Sequence, residues 1–123
     1  MRPLFEEMPI QRLSCSLPSV RLHASLDADL RALAALQQKP LVQVMRNILY
    51  HYLQIEEELM RLEIEDAPVR RSTKSEQVMS QKVSVTEEIK GAFVERARSL
   101  YLPQTTMLRM IFEAGVERWK RTL

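Results

Sequence analysis

Polar side chains recur at every second position in two stretches of the sequence, one near residue 20 and one near residue 82. This spacing places them together on one face of a β-strand, with mostly apolar side chains on the opposite face. Lysine and arginine donate hydrogen bonds over a long reach, whereas serine donates or accepts over a short one. Such a row could contact the polar edges of a ligand, although an ordinary solvated strand face has the same appearance. The polar positions are Ser19 and Arg21 in the first stretch, and Ser80, Lys82 and Ser84 in the second.

No arrangement of residues typical of an enzyme occurs in the sequence. There is no glycine-rich phosphate loop, no HExxH motif and no serine–histidine–aspartate or cysteine–histidine pattern at a recognisable spacing. Cys15 is the only cysteine, so we expect no disulfide or thiolate metal site within the chain, and a small buried residue instead. His23 and His51 lie too far apart to suggest a metal site. The sequence therefore predicts a binding protein with no catalytic residues, cofactor, metal or small-molecule substrate.

Composition predicts a mostly helical protein of one compact domain or two very small ones. The 123 residues are 46% apolar and include only two glycines, and helix-favouring types are common. The net charge of +2 is too small to identify a nucleic-acid-binding protein, but an acidic stretch over residues 56–66 precedes the basic Arg70, Arg71 and Lys74. No apolar run reaches the roughly 20 residues needed to span a bilayer. We expect a soluble cytoplasmic protein without a membrane partner.

The second half of the sequence predicts a strand followed by two helices. Alternation over residues 79–85 indicates a half-buried strand with Met79 facing inward. Thr86 is a good N-cap for the first helix, and Pro103 ends it because proline lacks the N–H that a continuing helix needs. A second helix then covers residues 104–119. The apolar positions at helical spacing are Ile89, Phe93, Ala97 and Leu100 in the first helix, and Leu108, Ile111, Phe112 and Val116 in the second.

The first half of the sequence has the same order of elements. Residues 16–22 can form a strand and residues 24–37 a helix, and Pro40 marks the break before a second helix. That second helix could run on through Ile55 and Leu59. The expected inward positions are Leu26, Leu30, Leu33 and Ala34 in the first helix, and Val44, Met45, Ile48, Leu49, Tyr52 and Leu53 in the second.

The register of the first strand has more than one solution. Residues 11–18 and residues 19–26 each alternate cleanly, but with different outward side chains. A strand over residues 16–22 is favoured because it gives the two first helices equal length. Pro18 counts against it, since a proline removes a hydrogen-bond donor from the ladder. The outward residues are Arg12, Ser14 and Ser16 in the first alternation, and Arg21, His23 and Ser25 in the second.

The two halves align without a gap when Leu22 is placed on Val85, and we call the separation of these two residues the repeat offset. We therefore predict an N-terminal arm over residues 1–15, a first unit over 16–63, a linker over 64–78 and a second unit over 79–123. A unit of about 50 residues buries too little surface to be stable alone, so the two units should share one core. The repeat offset also pairs Val20 with Val83, Leu26 with Ile89, Leu30 with Phe93, Ala34 with Ala97, Val44 with Met107, Met45 with Leu108, Arg46 with Arg109 and Ile48 with Ile111.

The pattern of strand, capped helix, turn and helix resembles the ribbon-helix-helix family of DNA-binding proteins. The stretches that carry the resemblance are residues 82–89 and 107–109 in the second half, and residues 20–22 and 44–46 with Leu26 and Leu30 in the first. The resemblance implies a mostly α fold, in which two ribbon-helix-helix units of one chain share a core and a two-stranded antiparallel β-ribbon. A single-chain tandem is also similar to accessory proteins of conjugative plasmid and T-DNA transfer, including virulence systems.

In that family the ribbon enters the major groove of double-stranded DNA, which implies base contacts for Ser19, Arg21, Ser80, Lys82 and Ser84. Arginine and lysine suit guanine O6 and N7, whereas serine is less selective. The start of each second helix should face a phosphate, because its free N–H groups and its dipole favour an anion. The two halves differ there, so we expect a non-palindromic target. The expected phosphate contacts are Thr105 and Thr106 in the second half, and Lys39 with the backbone amides of Leu41 and Val42 in the first.

Four other side chains have structural interpretations. Arg46 and Arg109 lie beside the apolar stripe, where pairing with a carboxylate or capping of a turn is expected. Tyr101 and Trp119 are expected to pack in or at the edge of the core.

Three functions therefore stay open at the level of sequence. The first is a DNA-binding accessory factor for DNA transfer, acting with other DNA-processing proteins. The second is a repressor or antitoxin, which the same fold implies. The third is a helical module that docks a protein partner and binds no DNA.

Overall fold

The computed structural model describes residues 13–54, 77–80 and 82–122. About two-thirds of these residues are helical, so the expected mostly helical fold is confirmed. Residues 1–12 and 55–76 lie outside the described part, and with them Arg70, Arg71, Lys74 and the expected continuation of the second helix through Ile55 and Leu59. The elements are β1 (Cys15–Ser16), β2 (Arg21–His23), α1 (Ala24–Gln37), α2 (Leu41–Gln54), β3 (Gln77–Met79), β4 (Ser84–Val85), α3 (Glu87–Ser99) and α4 (Gln104–Lys120).

The first helix of each half begins with a side-chain cap. In α1 the Nδ1 atom of His23 accepts a hydrogen bond from the backbone N–H of Ser25 at 3.1 Å. In α3 the Oγ1 atom of Thr86 accepts one from the N–H of Ile89 at 3.2 Å, which confirms the predicted cap. Each cap satisfies a backbone donor that has no partner within the helix.

Both first helices end in the same left-handed turn. Gln38 and Tyr101 have a φ of 56°, a conformation that side chains other than glycine adopt at a cost. The N–H of Lys39 donates to the carbonyl of Ala34 at 3.0 Å, and a matching bond of 2.9 Å joins Leu102 to Ala97. This six-to-one bond is the signature of a Schellman turn. A proline follows each turn, and the second helix starts directly after it.

Matching elements of the two halves are separated by the repeat offset found in the sequence. The offset places Ala24, which begins α1, on Glu87, which begins α3, and it places Leu41 of α2 on Gln104 of α4 in the same way. The two chain reversals between these helices obey the same offset. The structure therefore contains two strand–helix–helix halves, and the helices start at matching positions in both.

Two short antiparallel ladders join the halves, and both follow a single register. In one ladder Cys15 lies opposite Val85, and in the other Leu22 lies opposite Val78. Backbone bonds continue the register between the ladders: Leu17 N–H donates to the Val83 carbonyl at 3.0 Å and Ser80 N–H to the Val20 carbonyl at 2.8 Å. The expected antiparallel pairing of the two stretches is confirmed.

The strands are shorter and begin earlier than predicted. β1 starts at Cys15, inside the predicted arm, and β3 starts at Gln77, inside the predicted linker. The ladder breaks between residues 17 and 20, where Pro18 has no N–H to donate. Each predicted strand is thus replaced by two short strands on either side of a break.

The alternation of buried and exposed residues changes phase at this break. Leu17 and Val20 are both buried, although an unbroken strand would point them to opposite faces. Residues up to 17 follow the first of the two alternations found in the sequence, and residues from 20 onwards follow the second. The second strand changes phase in the same way, because Ser80 and Val83 are both buried. The predicted inward orientation of Met79 is wrong, since this side chain is 58% exposed.

One hydrophobic core is built from both halves. All the predicted inward positions of α1 and α4 are buried, and those of α2 and α3 are buried or partly buried against the same core. Cys15 is half-buried at its edge rather than fully enclosed. The largest fully buried side chains are Leu17, Leu22, Leu26, Leu30, Leu33, Met45, Ile48 and Leu49 from the first half, and Phe93, Met107, Leu108 and Phe112 from the second.

The second helices of the two halves approach closely at Gly115. A Cβ atom added at this glycine would lie 2.6 Å from Cγ2 of Ile48 and 3.0 Å from its Cδ1. Ile48 is itself fully buried and β-branched, so it has little freedom to move aside. Glycine at position 115 therefore sets the distance between α2 and α4.

Gly115→Ala should lower the free energy of unfolding by about 1–3 kcal/mol, because the new methyl group overpacks the contact with Ile48. Gly91→Ala in α3 is the matched control, since no described atom lies within 4 Å of an added Cβ there. It should raise stability by about 0.5–1 kcal/mol through helix propensity alone. Urea denaturation of the two variants measures both effects. Equal stabilisation by both substitutions would contradict the close approach.

Candidate nucleic-acid interface

The outward face of the ribbon carries two cross-strand pairs of side chains. Residues directly opposite each other in an antiparallel pair share a face. Ser16 lies opposite Ser84 in the first ladder, and Arg21 lies opposite Met79 in the second. Arg21, Met79 and Ser16 are exposed and Ser84 is half-buried. The predicted outward positions of Arg21 and Ser84 therefore lie at opposite ends of one surface.

The middle of this face is formed where the ladder breaks. Lys82 is exposed and Ser19 is half-buried, and the two occupy matching positions in the two halves. Both lie between the two ladders. We call the surface formed by Ser16, Ser19, Arg21, Met79, Lys82 and Ser84 the ribbon face.

Ser80 does not belong to the ribbon face, so its predicted outward orientation is wrong. Only 7% of this residue is exposed, and its Oγ accepts a hydrogen bond from the backbone N–H of Val20 at 3.0 Å. The change of phase at the break turns position 80 towards the core. Its hydroxyl holds the two strands together where the ladder is interrupted.

Ser16 and Met79 belong to the ribbon face and were absent from the predicted contact residues. For Ser16 a signal existed, because the alternation over residues 11–18 places it outward. For Met79 the apolar character of the side chain suggested an inward orientation, which is wrong. Met79 lies opposite the exposed Arg21 and shares its face. This pairing joins two residues that are far apart in the sequence.

The second helix of each half directly follows a proline, whose side chain cannot cap a helix. The carbonyl of Pro40 accepts from the N–H of Val44 at 3.2 Å, and the carbonyl of Pro103 from that of Met107 at 3.0 Å. Pro103 is the N-cap of α4 and makes no side-chain hydrogen bond. The proline ring carries no acceptor, so it cannot cap the first amides of either helix. This contrasts with the capped first helices.

The predicted phosphate-contacting residues lie at these two helix starts. Leu41 and Val42 open α2 and are half-buried, as are Thr105 and Thr106 in the first turn of α4. Lys39 is half-buried and already engaged in an interaction within the chain. The starts of the two second helices therefore differ, with hydroxyl groups at α4 and apolar side chains at α2.

Arg46 links α2 in the first half to β4 in the second half. Its Nε donates to the backbone carbonyl of Ser84 at 2.7 Å, and the residue is only 9% exposed. Burial lowers the pKa of Arg46 below its ordinary value, but a guanidinium remains protonated near neutral pH. Its identified partner is a strand carbonyl, not the carboxylate or turn that the sequence suggested. Arg46 fixes the position of β4 relative to α2.

Arg109 occupies the matching position in α4 but makes a weaker contact. Its Nη2 lies 3.5 Å from Oγ1 of Thr106, at the limit of hydrogen bonding. The two arginines, which the repeat offset places on each other, therefore differ in what they hold. This difference adds to the asymmetry of the two halves.

The remaining residues singled out in the sequence lie away from the ribbon face or make structural contacts. Trp119 packs partly buried against the core, as expected, whereas Tyr101 is 95% exposed and does not pack there. His23 caps α1. Among the described residues, no three histidine, cysteine or acidic side chains cluster as metal ligands. Within the same described part, every helix is too short or too polar to cross a membrane.

Comparison of the chain with protein-family models, with curated proteins and with solved structures finds no match. The functional interpretation therefore depends on the residues and geometry of the chain itself.

Arg46→Ala should lower the free energy of unfolding by about 1.5–3 kcal/mol, because it removes a charge-assisted hydrogen bond and leaves the Ser84 carbonyl without this donor. Arg109→Ala removes the same side chain at the matching position and should cost less than about 1 kcal/mol. Chemical denaturation of both variants gives the comparison. Equal losses of stability in the two variants would show that the Arg46 hydrogen bond stabilises the fold no more than the Arg109 contact does.

Proposed function

We propose that this chain binds double-stranded DNA as a tandem ribbon-helix-helix protein, with the ribbon face in the major groove. One observation carries the proposal. Two stretches far apart in the sequence pair in a single register, which turns most of their apolar side chains into the shared core and leaves Arg21 and Lys82 exposed on the other side. A binding surface made in this way has long hydrogen-bond donors at its centre and at one end.

The shape of the ribbon suits this ligand. A two-stranded ribbon is narrow enough to enter the major groove, where every base pair presents a distinct pattern of donors and acceptors. Arg21 and Lys82 can donate to guanine, and Ser19 and Ser84 can donate or accept at shorter range. Ser80 is excluded from these contacts by its burial.

The starts of the second helices supply the proposed phosphate contacts. Backbone amides at Leu41 and Val42 and at Thr105 and Thr106 lie in first turns that the preceding prolines cannot cap. At α4 the threonine hydroxyls add donors, whereas α2 offers amides alone, with Lys39 beside it. The two halves should grip the backbone unequally, so the preferred target is non-palindromic.

The proposed biological role is that of a cytoplasmic accessory factor in plasmid or T-DNA processing and transfer. A homodimer presents two identical halves, whereas a single chain presents two different ones. An accessory factor that must orient other DNA-processing proteins in one direction along a duplex benefits from this difference. The chain would then act through binding and orientation alone.

Arg21→Ala combined with Lys82→Ala should weaken duplex binding at least tenfold, since each good contact to a base contributes about 1–3 kcal/mol. Affinity of the unaltered chain should fall steeply as salt rises, because each phosphate contact releases counterions. Fluorescence anisotropy with a labelled duplex over a salt series measures both quantities.

The matched control is Arg31→Ala combined with Arg121→Ala, which removes the same charge from exposed positions outside the ribbon face. This control should change affinity little. Duplex affinity that survives loss of Arg21 and Lys82 would rule out the ribbon as the contact surface. Absence of duplex binding at low salt, together with salt-insensitive binding of a protein, would instead favour a protein-interaction module.

A further inference from the structure

The two ends of the ribbon face differ in chemistry although they occupy matching positions in the two halves. Ser16 corresponds to Met79 and Arg21 to Ser84 under the repeat offset. One end therefore carries two serines opposite each other, and the other carries an arginine opposite a methionine. A symmetric dimer would present the same pair at both ends.

We propose that the Arg21–Met79 pair determines sequence specificity, contacting a G·C base pair and the methyl group of an adjacent thymine. The Ser16–Ser84 end holds the duplex with little preference between bases. This inference depends on the proposed binding of DNA by the ribbon face and assigns that face a direction.

Arg21 supplies the hydrogen-bonding part of the recognition. Its exposed guanidinium can donate two parallel bonds to O6 and N7 of guanine, an arrangement that no other base accepts in the same way. Ser84, at the matching position, has a short hydroxyl that pairs with several bases, and its backbone is held to Arg46. The long donor is therefore confined to one end.

Met79 supplies the apolar part. It is 58% exposed, and no polar function explains a thioether on an otherwise hydrophilic surface. In the major groove the thymine methyl is the apolar group that a base pair presents. Opposed side chains in an antiparallel pair have Cβ atoms about 4.5–5.5 Å apart, and base pairs are stacked about 3.4 Å apart. The two side chains can thus reach neighbouring base pairs.

Selection of binding sites from a randomised duplex library by the full chain tests the inference. The enriched sequence should have its strongest preference in one half, with a guanine next to a thymine. Replacing that thymine by deoxyuridine, which lacks the methyl group, should weaken binding about fourfold, the change expected for one buried methyl.

Three variants assign the preferences to residues, and circular dichroism checks that each is folded. Arg21→Ser and Met79→Ser give the selective end the residues of its counterpart; the first should lose the guanine preference and the second the response to deoxyuridine. Ser16→Ala is the matched control at the other end and should leave the selected sequence unchanged.

The outcomes separate this inference from the proposed function. Duplex binding with equal preference in both halves, or a deoxyuridine response that persists in Met79→Ser, would overturn the inference and leave DNA binding intact. Failure of the unaltered chain to enrich or retain any duplex at low salt would overturn both.

Discussion

The antiparallel pairing between residues 15–23 and 77–85 is the interaction on which the rest of the structure depends. Each half supplies a strand that has no partner of its own, so the backbone donors of one half are satisfied by the other. The register also fixes which side chains enter the core. A slip of one residue would turn every side chain of a strand to the opposite face.

The shared core follows from the same pairing. Neither half encloses its apolar side chains alone, because the buried positions of α1 and α2 face those of α3 and α4 in one cluster. Two contacts between the halves set the spacing within it. Gly115 lets α4 approach Ile48 of α2, and Arg46 of α2 holds the carbonyl of Ser84 in β4. The ribbon is therefore positioned by the core beneath it as well as by its own ladders.

Stability and the proposed function are assigned to opposite sides of the same elements. The inward side of the ribbon carries Leu17, Val20, Val83 and Val85, whereas its outward side contributes little to packing. The first helices are capped by His23 and Thr86, and each cap satisfies a backbone donor at the helix start. The second helices follow prolines that cannot cap them. The proposed function uses the outward side of the ribbon and these two helix starts.

The two halves are alike where they fold and different where they face outward. Caps, turns, helix starts and core positions match at the repeat offset. Ser16 and Met79 also correspond at this offset, as do Arg21 and Ser84, but the side chains in each of these pairs differ in chemistry. A common core requires complementary shapes from both halves. The outward positions carry no such requirement, so they are free to diverge.

The sequence by itself determined where the helices begin, where the first helix of each half ends, and the repeat. Pro40, Pro103, the Thr86 cap and the apolar spacing act within a few residues, so α1 was predicted to the residue and the repeat offset recurs in the element starts. The pairing of the two stretches was predicted from the resemblance to the ribbon-helix-helix family, which this repeat supports. These signals are local, or are repeated copies of local signals.

Only the tertiary structure decided the phase of the ribbon, the burial of Ser80, the exposure of Met79 and the partner of Arg46. Alternation in a strand shows which residues share a face, but the core and the opposite strand determine which face is buried. The bond from Val20 to Ser80 joins residues 60 apart, and that from Arg46 to Ser84 joins residues 38 apart. Contacts at such separations leave no pattern in the neighbouring sequence, because they arise only when distant segments pack together.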